Sequence, residues 1–337
     1  MTSVRTDSET VRFGPIALND GVSRLNLFTF FYAAVFTICM LAFISFLQPY
    51  LLTENLGMPF EKQGKASGTL TFTGEIIVLL LIAPIGALSD RIGRRPIYAM
   101  GFAWIGVGFL LYPLAQSFPQ LLLFRAIFAI GTAAVGTMLA TVQTDYPQEQ
   151  SRGKLVGLAG FCNGLGALIA VAFLSKLPNL FSSLGFDTLT AGRFSFWVAA
   201  GIAFVSALIV AKGLKGGTGA FAHERKDLFK LIREGGKEAR HNPRLLVAFM
   251  ESFVARSDMV VIGTFFSLWA KEEGLNQGLT LEDAMRQAGI FAGIIQGTLL
   301  IWCPIWGFVL DRFDRLTVVC MAMAIAALGY LWVGLSD

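Results

Sequence analysis

Hydrophobic residues along this 337-residue chain do not alternate with polar ones; they gather in long runs separated by short polar breaks. The runs are about 20 residues or longer, enough for a helix to cross about 30 Å of hydrocarbon. Nine runs meet that length: 27–50, 65–89, 96–115, 118–143, 155–176, 193–213, 245–270, 285–310 and 316–335. The pattern predicts an all-α polytopic membrane protein, because the strands of a membrane β-barrel would alternate instead. It divides the chain into a tail (1–26), a six-span portion (27–213), a long central loop (214–244) and a three-span portion (245–337). The loop begins Gly-rich and continues into an amphipathic stretch, Asp227–Arg233. That stretch reads equally as a helix at the headgroup level or as a solvated linker helix.

A polar pattern occurs twice. Gly86-x-x-x-Asp90-Arg91-x-x-Arg94 returns 221 residues on, from Asp90 to Asp311, as Gly307-x-x-x-Asp311-Arg312-x-x-Arg315. Each copy joins two apolar runs. A membrane chain that repeats its own half is most economically a transporter, although the repeat says little about the cargo.

Composition narrows the class. Hydrophobic residues make up 55% and charged residues 15%, against roughly 25% charged in soluble domains; mean hydropathy is +0.63. The net charge of +4 is no nucleic-acid signal, because the basic residues sit in loops beside the spans. Cys39, Cys162, Cys303 and Cys320 fall inside apolar runs with neither disulfide nor metal spacing, and His223 and His241 lie in the central loop. No metal, haem or other cofactor is expected. An enzyme would need a nucleophile or metal set near an interface, which short loops and these positions argue against. A membrane sensor would need a larger soluble receiver than the central loop supplies.

With the N-terminus inside, 19 of the 27 Lys and Arg lie in inside segments or at their edges and 6 in outside ones, so the positive-inside rule places the tail in the cytoplasm. The tail shows no cleavable signal peptide, so the first span is expected to act as a signal-anchor. Nine spans leave the C-terminus outside. Six spans, a basic loop and three more resemble an interrupted six-plus-six, so about three spans are expected to be missing; the rival is a genuine nine-span protein.

The segment Gly86-Ala-Leu-Ser-Asp90-Arg91-Ile-Gly93-Arg94-Arg95-Pro96 resembles the signature loop between the second and third helices of the major facilitator superfamily. The second copy is degenerate, with Asp314 where Gly93 stands in the first. Leu121-x-x-x-Arg125 with Gly131 is similar to the family's fourth-helix arginine motif, although Ala129 replaces a common glycine. Pro147-x-Glu149-x-x-Arg152-Gly153 resembles the motif after that helix. The resemblance implies a helical bundle lacking its last quarter and an alternating-access secondary transporter in the cytoplasmic (inner) membrane. It implies a small organic solute, coupling to protons, the bilayer as surroundings and a monomer. An uncoupled facilitator remains the alternative.

The loop's chemistry is legible without the family. Gly86 lets another helix approach closely, Gly93 allows a turn that other residues resist, and Pro96 suits the first turn of a helix. Arg91 complements the negative end of the preceding helix. Arg94 or Arg95 is expected to pair with Asp145 or Glu149 in one conformation and to release it in another, with Asp90, Arg152, Asp311 and Arg315 completing the switch. For Arg95 alone, anchoring to lipid headgroups is the preferred reading.

A charge near the bilayer centre costs about 2.5–3.5 kcal/mol on insertion scales, so Glu75, Arg125, Glu251, Arg256 and Asp258 stand out. By resemblance Arg125 lines the cavity and takes part in proton coupling or holds an anionic group; otherwise it is a hydrogen-bond hub. The repeat offset maps Glu75 onto Gln296, a carboxylate facing an amide, which suits a single protonation site or a neutral packing role. Glu251 and Asp258 share a helix face, while Arg256 points away from Asp258 and needs another partner. Given the family's arrangement of its first, fourth and seventh helices, Asp258 and Arg125 are the leading cavity pair; a structural polar network is the alternative. Glycine stripes at Gly157, Gly160, Gly164 and Gly166, and at Gly289, Gly293 and Gly297, suit either helices that slide or plain close packing.

Overall fold

The computed structural model describes residues 12–217 and 281–335, with short stretches and single positions between 233 and 278. It divides into two compact units, Met1–Glu224 and Arg225–Asp337. Predicted span 7 beyond Met250, and with it Glu251, Arg256 and Asp258, lies outside the described residues, as does the amphipathic stretch apart from Arg233.

In the first unit a two-stranded antiparallel hairpin, β1 (Arg12–Phe13) and β2 (Ile16–Ala17), pairs Arg12 with Ala17 and Phe13 with Ile16. Seven helices follow: α1 (Arg24–Glu54), α2 (Phe60–Ile92), α3 (Arg94–Leu111), α4 (Phe118–Asp145), α5 (Arg152–Ala172), the short α6 (Leu177–Ser183) and α7 (Thr188–Gly213). The second unit contributes α8 (Leu281–Arg312) and α9 (Arg315–Leu335). Among the described residues, seven helices are long and apolar enough to cross a membrane, and Leu316–Trp332 within α9 is a shorter apolar helix.

Local chemistry sets the helix ends. Ser23 caps α1, accepting from Asn26 N while Asn26 returns the bond to the Ser23 backbone. Ser117 caps α4 and Asp187 caps α7. Gly93 ends α2 and starts α3 with φ +97°. The predicted span 65–89 therefore falls short: α2 runs on through Asp90 and Arg91, because surface charges do not stop a helix and a left-handed glycine does. The predicted span 155–176 also differs. The chain leaves α5 at Ala172, passes a 3-10 turn at Leu174–Lys176 and restarts as α6, with Pro178 in its first turn.

The first unit is held by tight contacts between its helices. α3 packs on α4 and α7, α1 on α5 and α7, and α2 on α4. Phe43, Phe109 and Phe196 from α1, α3 and α7 meet edge-on or tilted, with centroids 5.4–6.1 Å apart, and Phe128 of α4 joins at 5.1 Å from Phe109. A Cβ at Gly166 would lie 2.1 Å from the Val35 carbonyl oxygen, so α5 rides directly on the α1 backbone. Buried hydroxyls either donate to their own helix, as Ser195 does to Ala191 O at 2.7 Å, or bridge helices, as Thr37 and Tyr98 do at 2.9 Å.

Candidate functional site

A cavity of about 190 Å³ opens between α1, α2 and α4. Its lining includes Ser45, Thr71, Glu75, Arg125, Phe128 and Thr132. Each helix presents one face, at spacings of three and four: Leu41, Ile44 and Ser45; Thr71, Gly74, Glu75 and Val78; Arg125, Phe128, Ala129 and Thr132. Glu75 and Arg125, picked out as charges inside apolar runs, thus line one space. Gly74 makes room for the arginine, since a Cβ there would come 3.0 Å from Arg125 Nε. The guanidinium carbon lies 5.5 Å from the Phe128 ring centroid, a cation–π contact. Buried Nε and Nη1 of Arg125 have no hydrogen-bond partner among the described residues. The buried hydroxyl of Tyr112 lies beside Arg125. The arrangement leaves donors aimed at a small polar space, as an anionic or hydroxyl-bearing group requires. Gln296 lies on α8, in the other unit.

Sequence reasoning missed Ser45, Thr71, Gly74, Phe128 and Thr132 as lining residues. The signal was available: each sits on the helical face of a residue already singled out or on the matching face of a neighbour.

The signature loop forms a second polar cluster. Arg94 bonds Asp90 through Nη1, reaches Ser89 Oγ at 3.0 Å, and donates from Nε to Asp145 Oδ2 at 3.0 Å. The expected Arg94–Asp145 pair is therefore present. Glu149 pairs with Arg152 at 3.0 Å, on the same connection. Arg95 is not simply a headgroup anchor: its Nε donates to Ala211 O in the last turn of α7, an interaction with an otherwise unsatisfied helix-end carbonyl. Arg91 lies in the last turn of α2, as the dipole argument requires. A Cβ at Gly93 would come 2.6 Å from Gly217 O, so that glycine serves both the turn and the approach of the next loop. Gly86 differs from expectation. A Cβ there would meet nothing nearer than Thr137 Cγ2 at 4.0 Å, so no close helix approach requires it. In the second copy Asp311 lies in the last turn of α8 and Arg315 opens α9. Asp314 accepts weakly from Thr317 N at 3.4 Å, a side-chain cap in place of the glycine of the first copy.

Gly164 and Gly166 on α5 are buried and Gly160 is half-buried; Gly166 faces α1, within its own unit. Gly289, Gly293 and Gly297 lie on α8.

A bundle of long apolar helices, with a polar cavity and an Arg–Asp cluster at one end, defines a polytopic α-helical membrane protein. Its sequence matches the Major Facilitator Superfamily over residues 25–337, and the chain belongs to that family. Magnetosome protein MamH of Paramagnetospirillum magneticum is 28% identical over 302 residues, covering 86% of this chain and 66% of MamH. Magnetosome protein MamZ of the same organism is 26% identical over 311 residues, covering 86% of this chain and 45% of MamZ. The chain thus spans less than two thirds of either relative. The proton:xylose symporter XylE, solved with 6-bromo-6-deoxy-D-glucose, superposes with TM-score 0.56 at 16% identity, covering 82% of this chain and 68% of XylE. That likeness concerns the fold.

Proposed function

We propose that this chain moves a small organic solute across a membrane by alternating access, as a secondary transporter coupled to protons. The observation that carries the reading is the cavity between α1, α2 and α4, where unbonded Arg125 donors and the Glu75 carboxylate line one space. In this reading Arg125 orients a polar or anionic group and Glu75 exchanges the proton. Gln296, Glu251, Arg256 and Asp258 supply the other half's contribution. The Arg94–Asp145 pair, with Asp90, Arg91, Glu149, Arg152, Asp311 and Arg315 around the two loops, is a contact made in one conformation and released in the other. The glycine seams Gly160–Gly164 and Gly289–Gly293–Gly297 let helices slide. The protein works as a monomer without catalytic chemistry, in the cytoplasmic membrane, its tail inside.

The test is uptake and efflux of a solute panel in vesicles under an imposed proton gradient. A gradient-dependent flux that Glu75→Gln abolishes supports coupling. A flux indifferent to the gradient and to Glu75→Gln means an uncoupled facilitator, and no flux of any solute ends the transport reading. The likeness to MamH and MamZ favours a second reading of the location, a magnetosome membrane. A fluorescent fusion imaged in a magnetosome-forming host separates the two.

A further inference from the structure

The N-terminal segment does not trail from the bundle. Gly14 and Pro15 turn the hairpin, Gly14 with φ +53°. Beyond it Ile16, Leu18 and Val22 are buried at 2%, 1% and 2% exposure, so the segment is seated in the core. It lies along the connection from α4 to α5: Ala17 N donates to Ser151 Oγ at 3.0 Å, and Gln148 N donates to Ala17 O at 2.9 Å. Asn19 makes three of the bonds to this connection. Its backbone N–H donates to Tyr146 O at 2.9 Å, and its side-chain Nδ2 donates to Asp145 O at 2.9 Å and Pro147 O at 3.1 Å. One residue, 126 positions away in sequence, thus satisfies three successive carbonyls where α4 ends, groups that a helix terminus cannot satisfy itself. From the other side, Lys215 N donates to Tyr146 Oη at 3.0 Å and Lys215 Nζ to Asp20 O at 2.7 Å.

Asp145 is therefore held twice: its carboxylate by Arg94 and its carbonyl by Asn19. We infer that Asn19 is a positioning residue, capping α4 from outside the helix and so setting the Asp145 carboxylate at the place where Arg94 grips it. The inference rests on the proposed reading that the Arg94–Asp145 pair opens during transport. Loss of the Asn19 side chain loosens the end of α4 and weakens that grip. The backbone bond to Tyr146 O and the Ala17–Ser151 bond keep the segment docked.

The experiment uses the full chain in proteoliposomes, with its four native cysteines replaced by alanine and Ser45→Cys placed in the cavity lining. A membrane-impermeant maleimide reports its reaction rate from each side. Two lost hydrogen bonds predict that Asn19→Ala shifts the two-sided rate ratio about fivefold, in the same direction as Asp145→Asn. In the Asp145→Asn background, Asn19→Ala should add less than about 1.5-fold, since residues acting through one contact are not additive. Ser151→Ala, which loosens the docked segment without touching Asp145, should leave the ratio unchanged. Should Asn19→Ala not accumulate, Asn19→Ser, too short to reach both carbonyls, enters the same cycle.

If Asn19→Ala shifts the ratio equally with and without Asp145→Asn, or if Ser151→Ala matches it, Asn19 is only a structural brace and the inference is overturned. If Asp145→Asn shifts the ratio and Asn19→Ala does not, the inference falls and the switch reading stands. If neither moves it, both fall.

Discussion

Gly93 and Gly86 belong to one motif and carry different burdens. A side chain at Gly93 would need φ +97° and would press on Gly217 O. Gly93→Val should cost about 1–3 kcal/mol in backbone strain alone, read as a lower melting temperature in detergent. Gly86 sits mid-helix with open space, so Gly86→Ala should be neutral or stabilise by up to about 1 kcal/mol in the same assay. The two glycines look alike in the sequence because a motif records identity, whereas the cost of a Cβ depends on what the fold brings near it. Arg125 and Glu75 were legible for the opposite reason. A charge inside an apolar run is conspicuous without coordinates, but the hydroxyls and the glycine that complete their cavity are ordinary residues until helices are juxtaposed.

Among the helices, α5 meets α1 at a backbone-to-backbone contact and α7 starts on an exposed carboxylate. Gly166→Leu would drive a side chain into the Val35 carbonyl, and the α1–α5 pair cannot part without opening the core. The expected outcome is loss of monodisperse protein on size exclusion, where Leu165→Ala beside it is tolerated. Asp187 is held below its usual value of 3.8 by hydrogen bonds from the Thr190 hydroxyl and backbone. A depressed carboxylate stabilises the fold above its unfolded value and loses that contribution as pH falls through the folded value. As pH falls below the ordinary value of 3.8, Asp187→Asn should therefore flatten part of the acid-side fall in thermal stability while keeping the cap. Among the described residues, helix positions were well anticipated by hydropathy, and their ends poorly. The break at Ala172 and the extension of α2 to Ile92 turn on proline, glycine and capping, which act on single residues rather than on runs.

For the molecule as a whole, the N-terminal segment is part of the first unit's core. A chain beginning at Ser23 loses Ile16, Leu18 and Val22 from buried sites, each side chain contributing roughly 1.5–3 kcal/mol as an upper bound. Its melting temperature should fall clearly below that of the full chain; an unchanged value would mean the docking contributes nothing to stability. The sequence described this region as a polar tail, because three apolar residues spaced among charges and glycines carry no periodic signal. What the sequence determined by itself was the membrane class, the long apolar helices, the doubled loop motif and the family, since each depends on run length or on residue identity at fixed local spacing. Only the tertiary structure decided that Arg125 and Glu75 share a cavity, that Arg94 selects Asp145, and that Asn19 closes the end of α4. Those contacts join residues some 50 or more positions apart, and no local pattern encodes which of many distant polar groups a fold will bring within hydrogen-bond reach.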